Sequence, residues 1–216
     1  MILYGSSMSP YVRKVMAFAA EKGIELEVQP TALGDPNPDF VRASPFRKMP
    51  AFVDGDFTLA DSSAIIHYLE ALHPQPEMIP ADPRLRGKCI WYEEFADTIL
   101  TGCGGKMFYH RIVAPLFLGR EGEPAVADQA EREELPKILD YVESVAPGGE
   151  GYLVGDKLTL ADLAVASPFA SLMLLKVEVD ADRWPKTAAY TRRILERPSF
   201  APLVAREIAH LERVAA

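Results

Sequence analysis

Residues 48–72 read KMPAFVDGDFTLADSSAIIHYLEAL, and this one run holds a constrained proline, a hairpin signal and a helix start. Pro50 stands directly before the apolar Ala51-Phe52-Val53. It is therefore either a strand-entry proline, trans by the ordinary preference of X–Pro bonds, or a cis proline of a tight turn. Asp54-Gly55 divides that run from Phe57-Thr58-Leu59, and an Asp-Gly between two β-rich segments predicts a hairpin of antiparallel strands. Asp61-Ser62-Ser63 then precedes Ile65, Tyr68, Leu69 and Leu72. That spacing of three and four lays one apolar stripe along a helix whose first turn is rich in cap-type residues. The free N–H groups and dipole at such a helix start favour negative charge.

Upstream, Ile2-Leu3-Tyr4 predicts a short strand ending at Gly5. Ser9-Pro10 opens a helix with Val12, Val15, Met16 and Ala19 on one face, stopped at Gly23, and a second strand follows at 26–29. Strand, helix, strand in that order makes a βαβ unit with parallel strands. Pro36 and Pro38 leave room for at most a short helix before residue 48, so the first part reads β-α-β-α-β-β-α. Pro74, Pro76, Pro80 and Pro83 then punctuate the chain. The expected organisation is an α/β domain over 1–76, a linker over 77–86 and an all-helical domain over 87–216. In the last, a long helix carries Ile90, Trp91, Phe95, Ile99, Phe108, Tyr109 and Ile112, with Gly104-Gly105 as an expected bend. The next helix, to about Val145, contains Pro136, which predicts a kink. Thr159-Leu160-Ala161-Asp162 has capping-box form and starts a helix uncharged over 163–175, which suits the centre of a bundle. Two more helices are expected near 183–196 and 199–213.

Composition narrows the function. With 49% hydrophobic and 25% charged residues among 216, this is an ordinary globular composition. A net charge of −8 and no Lys/Arg stripe argue against a nucleic-acid partner. The two cysteines, Cys89 and Cys103, form no CxxC and sit in no His/Cys cluster, so neither a disulfide framework nor a metal site is expected. The longest uncharged apolar run is too short to span a bilayer and no signal peptide is apparent, so the expected location is the cytoplasm.

The ordered features resemble those of cytosolic glutathione transferases over essentially the full length. The first strand followed by Ser9-Pro10-Tyr11-Val12-Arg13 resembles the serine-type active-site segment of that family. Lys48-Met49-Pro50 with Asp61-Ser62 resembles its glutathione-binding loop and helix start, and Thr159 to Asp162 resembles its second-domain capping box. The resemblance implies a thioredoxin-like α/β N-terminal domain, an all-α C-terminal domain, glutathione as cosubstrate without a metal, and a homodimer. The reaction implied is attack of the glutathione thiolate on a hydrophobic electrophile.

Glutathione carries two carboxylates, an ammonium and a thiol, so its site needs cationic or N–H donors, an acidic group and an edge of backbone. With Pro50 cis, the N–H and C=O of Met49 would pair with the cysteinyl backbone in strand fashion. Ser62 would hold the γ-glutamyl carboxylate, Asp61 the ammonium and Lys48 the glycyl carboxylate. The alternative is that Asp61 and Ser62 are caps and Lys48 a solvated loop residue. Asp61 departs from the family, which more often has a longer acid there. Ser9 is the expected activator of the thiol and Ser6 its rival. Ser6-Ser7-Met8 only partly matches the Ser-Ser-Cys run of maleylacetoacetate-type isomerases, and serine at position 9 speaks against a thiol reductase. A non-catalytic member of the family, serving as a stress regulator or binding module, is a further alternative. The second substrate is expected near Phe108 and Tyr109, against the alternative that both are core. Phe46 is the expected dimer anchor, against the alternative that it folds onto its own loop.

Overall fold

The computed structural model describes residues 1–32 and 34–215. They fall into two compact units, Met1–Met78 and Ile79–Ala216. The first unit runs β1 (Ile2–Tyr4), α1 (Pro10–Glu21), β2 (Glu27–Gln29), α2 (Pro38–Ala43), β3 (Ala51–Asp54), β4 (Phe57–Ala60) and α3 (Ser62–Leu72). Its sheet has the order β2-β1-β3-β4, with β1 and β2 parallel and the other two pairs antiparallel. This is the thioredoxin-like α/β arrangement that the family resemblance implies.

Local chemistry explains the elements. Pro10 occupies the first turn of α1, where its missing N–H leaves no hydrogen bond unmade, and Val12, Val15 and Ala19 are buried along one face. Asp54 pairs with Phe57 across the hairpin, so Gly55 and Asp56 form a two-residue loop. Gly55 has φ +61°, the positive value that a type II′ turn requires at its first loop position. The buried residues of α3 include Ile65, Ile66 and Leu69, while the expected stripe member Leu72 stays largely exposed. The Met49-Pro50 peptide is cis, the less common of the two forms open from sequence, and Gln75-Pro76 is cis as well. At the C-cap of α1, the buried Lys22 donates to Glu70 Oε2 of α3 and to the Pro76 carbonyl, each at 2.6 Å. The other Glu70 oxygen accepts the Met78 N–H at 3.0 Å, so one ion pair fixes α1, α3 and the segment that follows.

In the second unit no strand occurs among the described residues. A continuous helical stretch comprises α4 (Pro83–Glu94), a π-helical segment Phe95–Leu100, α5 (Thr101–Phe108) and a second π-helical segment Tyr109–Phe117. Gly104 and Gly105 lie inside regular α5, so the departures from α geometry flank the expected bend instead of falling on it. Next come α6 (Pro124–Gln129), a π-helical segment Ala130–Glu134 and α7 (Leu135–Val145). Pro136 is the second residue of α7, directly after the π turns. The wider i→i+5 bonding takes up the proline ring and its missing donor there.

Finally α8 (Leu160–Leu174), α9 (Pro185–Leu195) and α10 (Ala201–Ala215) complete the unit. Every residue of α8 except Met173 is buried, which suits the uncharged run that begins at residue 163. The Asp162 carboxylate accepts the Thr159 N–H at 2.9 Å and hydroxyl at 3.1 Å, which closes the capping box from its acidic side. It also accepts the Leu153 N–H at 2.9 Å and the Tyr190 hydroxyl at 2.8 Å. Burial pushes its pKa up, and these four donors oppose that shift.

Candidate functional site

The sheet register gathers the expected site residues of the first unit. Tyr4 pairs with Ala51 and Ala51 with Ala60. The chain therefore leaves β1 at Gly5, enters β3 from Pro50 and leaves β4 at Asp61, all at one end of the sheet. Ser6 to Ser9, Lys48 to Pro50 and Asp61-Ser62 thus share that end, although up to 56 positions separate them in sequence.

The β1–α1 turn carries the two candidate serines. A Cβ on Gly5 would lie 2.6 Å from Val12 Cγ2, so only glycine lets the turn close over α1. Ser9 donates its N–H to the Ser6 carbonyl at 2.9 Å and accepts the Arg13 N–H at 2.9 Å. It stands at the N-cap of α1 with extended backbone, yet its hydroxyl makes no capping bond. The plain N-cap role of the hydroxyl is thus unfilled. Buried Arg13 reaches back to the Met8 carbonyl and braces the turn.

The second loop is built around Ser44, whose role the sequence did not disclose. Its hydroxyl accepts the Lys48 N–H at 3.0 Å and donates to the Lys48 carbonyl at 2.8 Å, while its own carbonyl accepts the Arg47 N–H at 2.8 Å. Met49 packs its side chain against the cluster of Tyr4, Phe40, Ala43, Ala51 and Val53. Its backbone precedes the first ladder pair at Ala51 and so lies outside the sheet. Lys48 is exposed, and beside it Arg47, at φ +54°, supplies a second exposed cation. Phe46 is 87% exposed and does not fold back on its loop.

At the third segment the two alternatives separate. Asp61 is the cap, its Oδ1 accepting the Ser63 N–H at 2.9 Å and the Ala64 N–H at 3.3 Å. It does so at φ +81°, a positive value that an L-residue adopts at a cost of about 1–3 kcal/mol. Ser62 is the first helical residue and does not cap; it is 2% exposed. Two of the amides expected to meet an anion are therefore already satisfied, leaving the Ser62 N–H and hydroxyl. Under the same turn, Nζ of buried Lys14, from α1, lies 3.5 Å from Ser63 Oγ. Lys14 was not among the expected site residues, because its spacing marks it only as a helix residue.

The second unit holds the remaining candidates. Phe108 is partly buried at the end of α5, and Tyr109 is exposed, its ring edge-on to His110 at 5.1 Å. A cavity of about 870 Å³ lies elsewhere, between α8, α9 and α10, and neither aromatic lines it. Cys89 and Cys103 are buried free thiols, and burial pushes both up to a pKa of about 11. Neither can serve as a thiolate nucleophile at neutral pH. No group of His, Cys, Asp and Glu suited to a metal ion occurs among the described residues, and no helix among them is long and apolar enough to cross a membrane.

The model of the glutathione S-transferase N-terminal domain matches residues 3–77, and that of the C-terminal domain matches residues 106–198. A glutathione S-transferase of Hyoscyamus muticus is 31% identical over 209 residues, which cover 94% of this chain and 97% of that one. A stringent starvation protein A homolog of Coxiella burnetii is 30% identical over 200 residues, covering 93% and 89%. The crystal structure of glutathione transferase F7 from Populus trichocarpa matches with a TM-score of 0.82 at 27% identity, covering 96% and 98% of the two chains.

Proposed function

Since this chain belongs to the glutathione S-transferase family of enzymes, we propose that it joins the glutathione thiolate to a hydrophobic electrophile, with Ser9 activating the thiol. The observation that carries this reading is the Ser9 hydroxyl, which stands at the start of α1 without capping it. A hydroxyl at that place donates to a thiolate while the first-turn amides add positive potential, an arrangement that depresses thiol pKa values.

A free thiol with a pKa of about 8.5 is only a few per cent ionised at neutral pH. A hydrogen bond to a charged acceptor contributes about 1.5–3 kcal/mol. One pKa unit corresponds to about 1.4 kcal/mol, so one hydroxyl with the helix terminus behind it lowers the thiol by one to two units. The thiolate sulfur then forms a bond to the electrophilic carbon, and the electron pair of the broken bond leaves with halide or alkoxide. In this reading the Met49 backbone pairs with the cysteinyl residue and Ser62 binds the γ-glutamyl carboxylate. Asp61, whose Oδ1 is the cap, turns Oδ2 to the ammonium. Lys48, assisted by Arg47, meets the glycyl carboxylate. The electrophile rests near Phe108 and Tyr109.

Titration of bound glutathione by its thiolate absorbance, with turnover of aryl halides and epoxides measured alongside, tests the assignment. Ser9→Ala is expected to raise the thiol pKa by at least a unit and slow turnover about tenfold to a thousandfold. Parent-like titration in Ser9→Ala together with a raised pKa in Ser6→Ala transfers the role to Ser6. Retention on immobilised glutathione with no turnover of any electrophile overturns the catalytic half of the proposal.

A further inference from the structure

We propose that the imidazole of His110 is a proton-sensitive latch on the loop 118–123, closed while His110 is neutral and released when it takes up a proton. The inference stands apart from the glutathione reading, since it concerns the second unit alone. The loop joins the π-helical segment Tyr109–Phe117 to α6 and is drawn back onto that segment at three places. Leu118 donates its N–H to the Val113 carbonyl at 3.1 Å, and Arg120 donates to the Ala114 carbonyl at 2.9 Å. At the far end the Glu123 N–H, directly before α6, donates to His110 Nδ1 at 3.0 Å. Gly122 approaches the same residue so closely that a Cβ would overlap the His110 carbonyl oxygen. Backbone and side chain of His110 together receive the end of the loop.

Of these three bonds, two go to carbonyls, which accept at any pH, and the third goes to a titratable ring. An imidazole nitrogen accepts only while it carries no proton, and both nitrogens of the protonated ring are donors. A proton that arrives from solvent at Nδ1 therefore sets two donors against each other, and the Glu123 amide loses its partner. Imidazole is the side chain whose ordinary change of charge falls between pH 5 and 8. The other charges around the segment are engaged or outlying. The elements packed on it are α5 and α6; Lys106 of α5 pairs with Glu134, and Asp128 of α6 pairs with Arg111 of the segment, which also meets Glu131. The loop itself brings Arg120, Glu121 and Glu123, all exposed. From α10 comes a second imidazole, His210, stacked on Phe117 at 6.0 Å. Tyr109 meets the His110 ring edge-on at 5.1 Å and offers it no hydrogen bond.

Amide hydrogen exchange of the full chain, followed residue by residue by NMR and expressed as protection over the intrinsic rate at each pH, tests the latch. Protection of the Glu123 amide is expected to fall about three- to tenfold as pH drops from about 7.5 to 5, the equilibrium factor of one ordinary hydrogen bond. The amides of α8 are expected to keep theirs, and the midpoint of the loss is expected to coincide with the titration of the His110 ring protons. His110→Asn places a carboxamide oxygen, which does not titrate, close to where Nδ1 stands. It is expected to keep the protection and abolish its pH dependence. His110→Phe keeps a ring beside Tyr109 without an acceptor and is expected to show the low protection at every pH. If His110→Phe does not fold, Gly122→Ala replaces it, and is expected to release the loop at neutral pH with His110 in place. Protection that stays constant while His110 titrates overturns the proposal. So does a loss that the α8 amides share, or one that persists in His110→Asn and disappears in His210→Asn.

Discussion

Ser44 uses one hydroxyl twice, accepting the Lys48 N–H and donating to the Lys48 carbonyl, and it is almost fully buried. That ring of bonds presents Lys48 to Pro50 at the sheet end with little freedom left to lose on binding. Ser44→Ala leaves a donor and an acceptor of Lys48 without their partner, which costs about 1–3 kcal/mol. Chemical denaturation is expected to show a loss in that range, and glutathione affinity is expected to fall several-fold more than in Lys48→Ala. Equal effects of the two substitutions would mean that the loop is held by Met49 and the cluster beneath it. Ser44 was invisible from sequence because its partner lies four residues on in a loop, where no periodicity signals a hydrogen bond. Asp61 was half legible: cap and ligand contact are alternatives on paper, and the structure shows the cap, made by one of its two carboxylate oxygens.

At the scale of elements, what could be read was what is local. The Asp-Gly hairpin, the proline at the start of α1 and the box from Thr159 to Asp162 are each settled within a few residues. The π-helical segments were not legible, since an i→i+5 turn changes bonding without changing hydrophobic spacing enough to be seen. Contacts between distant elements were equally hidden. Lys22 meets Glu70 across 48 positions, and Glu143 of α7 caps α9 across 44, accepting the Lys186 N–H at 3.1 Å and the Thr187 N–H and hydroxyl at 2.8 Å each. Burial tends to push the Glu143 carboxyl up. The Thr187 and Lys186 donors outweigh it, so its pKa falls below the ordinary glutamate value. A carboxyl lowered in the folded state contributes stability above its unfolded pKa and loses it as pH falls through the folded one. Glu143→Ala is therefore expected to cost about 1–2 kcal/mol at pH 7, the size of a lost cap. The gap between variant and parent should close below pH 4. Urea unfolding of both from pH 3 to 8 measures this, and a difference independent of pH would show that the side chain acts by packing instead of charge.

For the molecule as a whole, the clearest unexplained surface feature is Phe46, more exposed than any other large apolar side chain among the described residues. It sits between Pro45 and Arg47, two residues from the Ser44 clamp. An aromatic ring fixed in water forgoes about 2–3 kcal/mol that burial would return, and a preorganised ring loses little entropy when a partner encloses it. Both conditions describe an anchor for a second copy of the chain, the assembly that the family resemblance implies. Phe46→Ala is expected to weaken self-association by about 2–4 kcal/mol, the scale of an aromatic interface hot spot. The unfolding free energy measured within one chain should stay within about 0.5 kcal/mol of the parent, since the ring covers nothing of its own subunit. Light scattering over a micromolar dilution series reads the first quantity, as a shift of the particle from twice the chain mass toward the chain mass at concentrations where the parent stays paired. A Phe46→Ala protein that dissociates at the parent's concentration removes Phe46 as the anchor. A monomeric parent removes the dimer itself, and the exposed ring would then need a different partner.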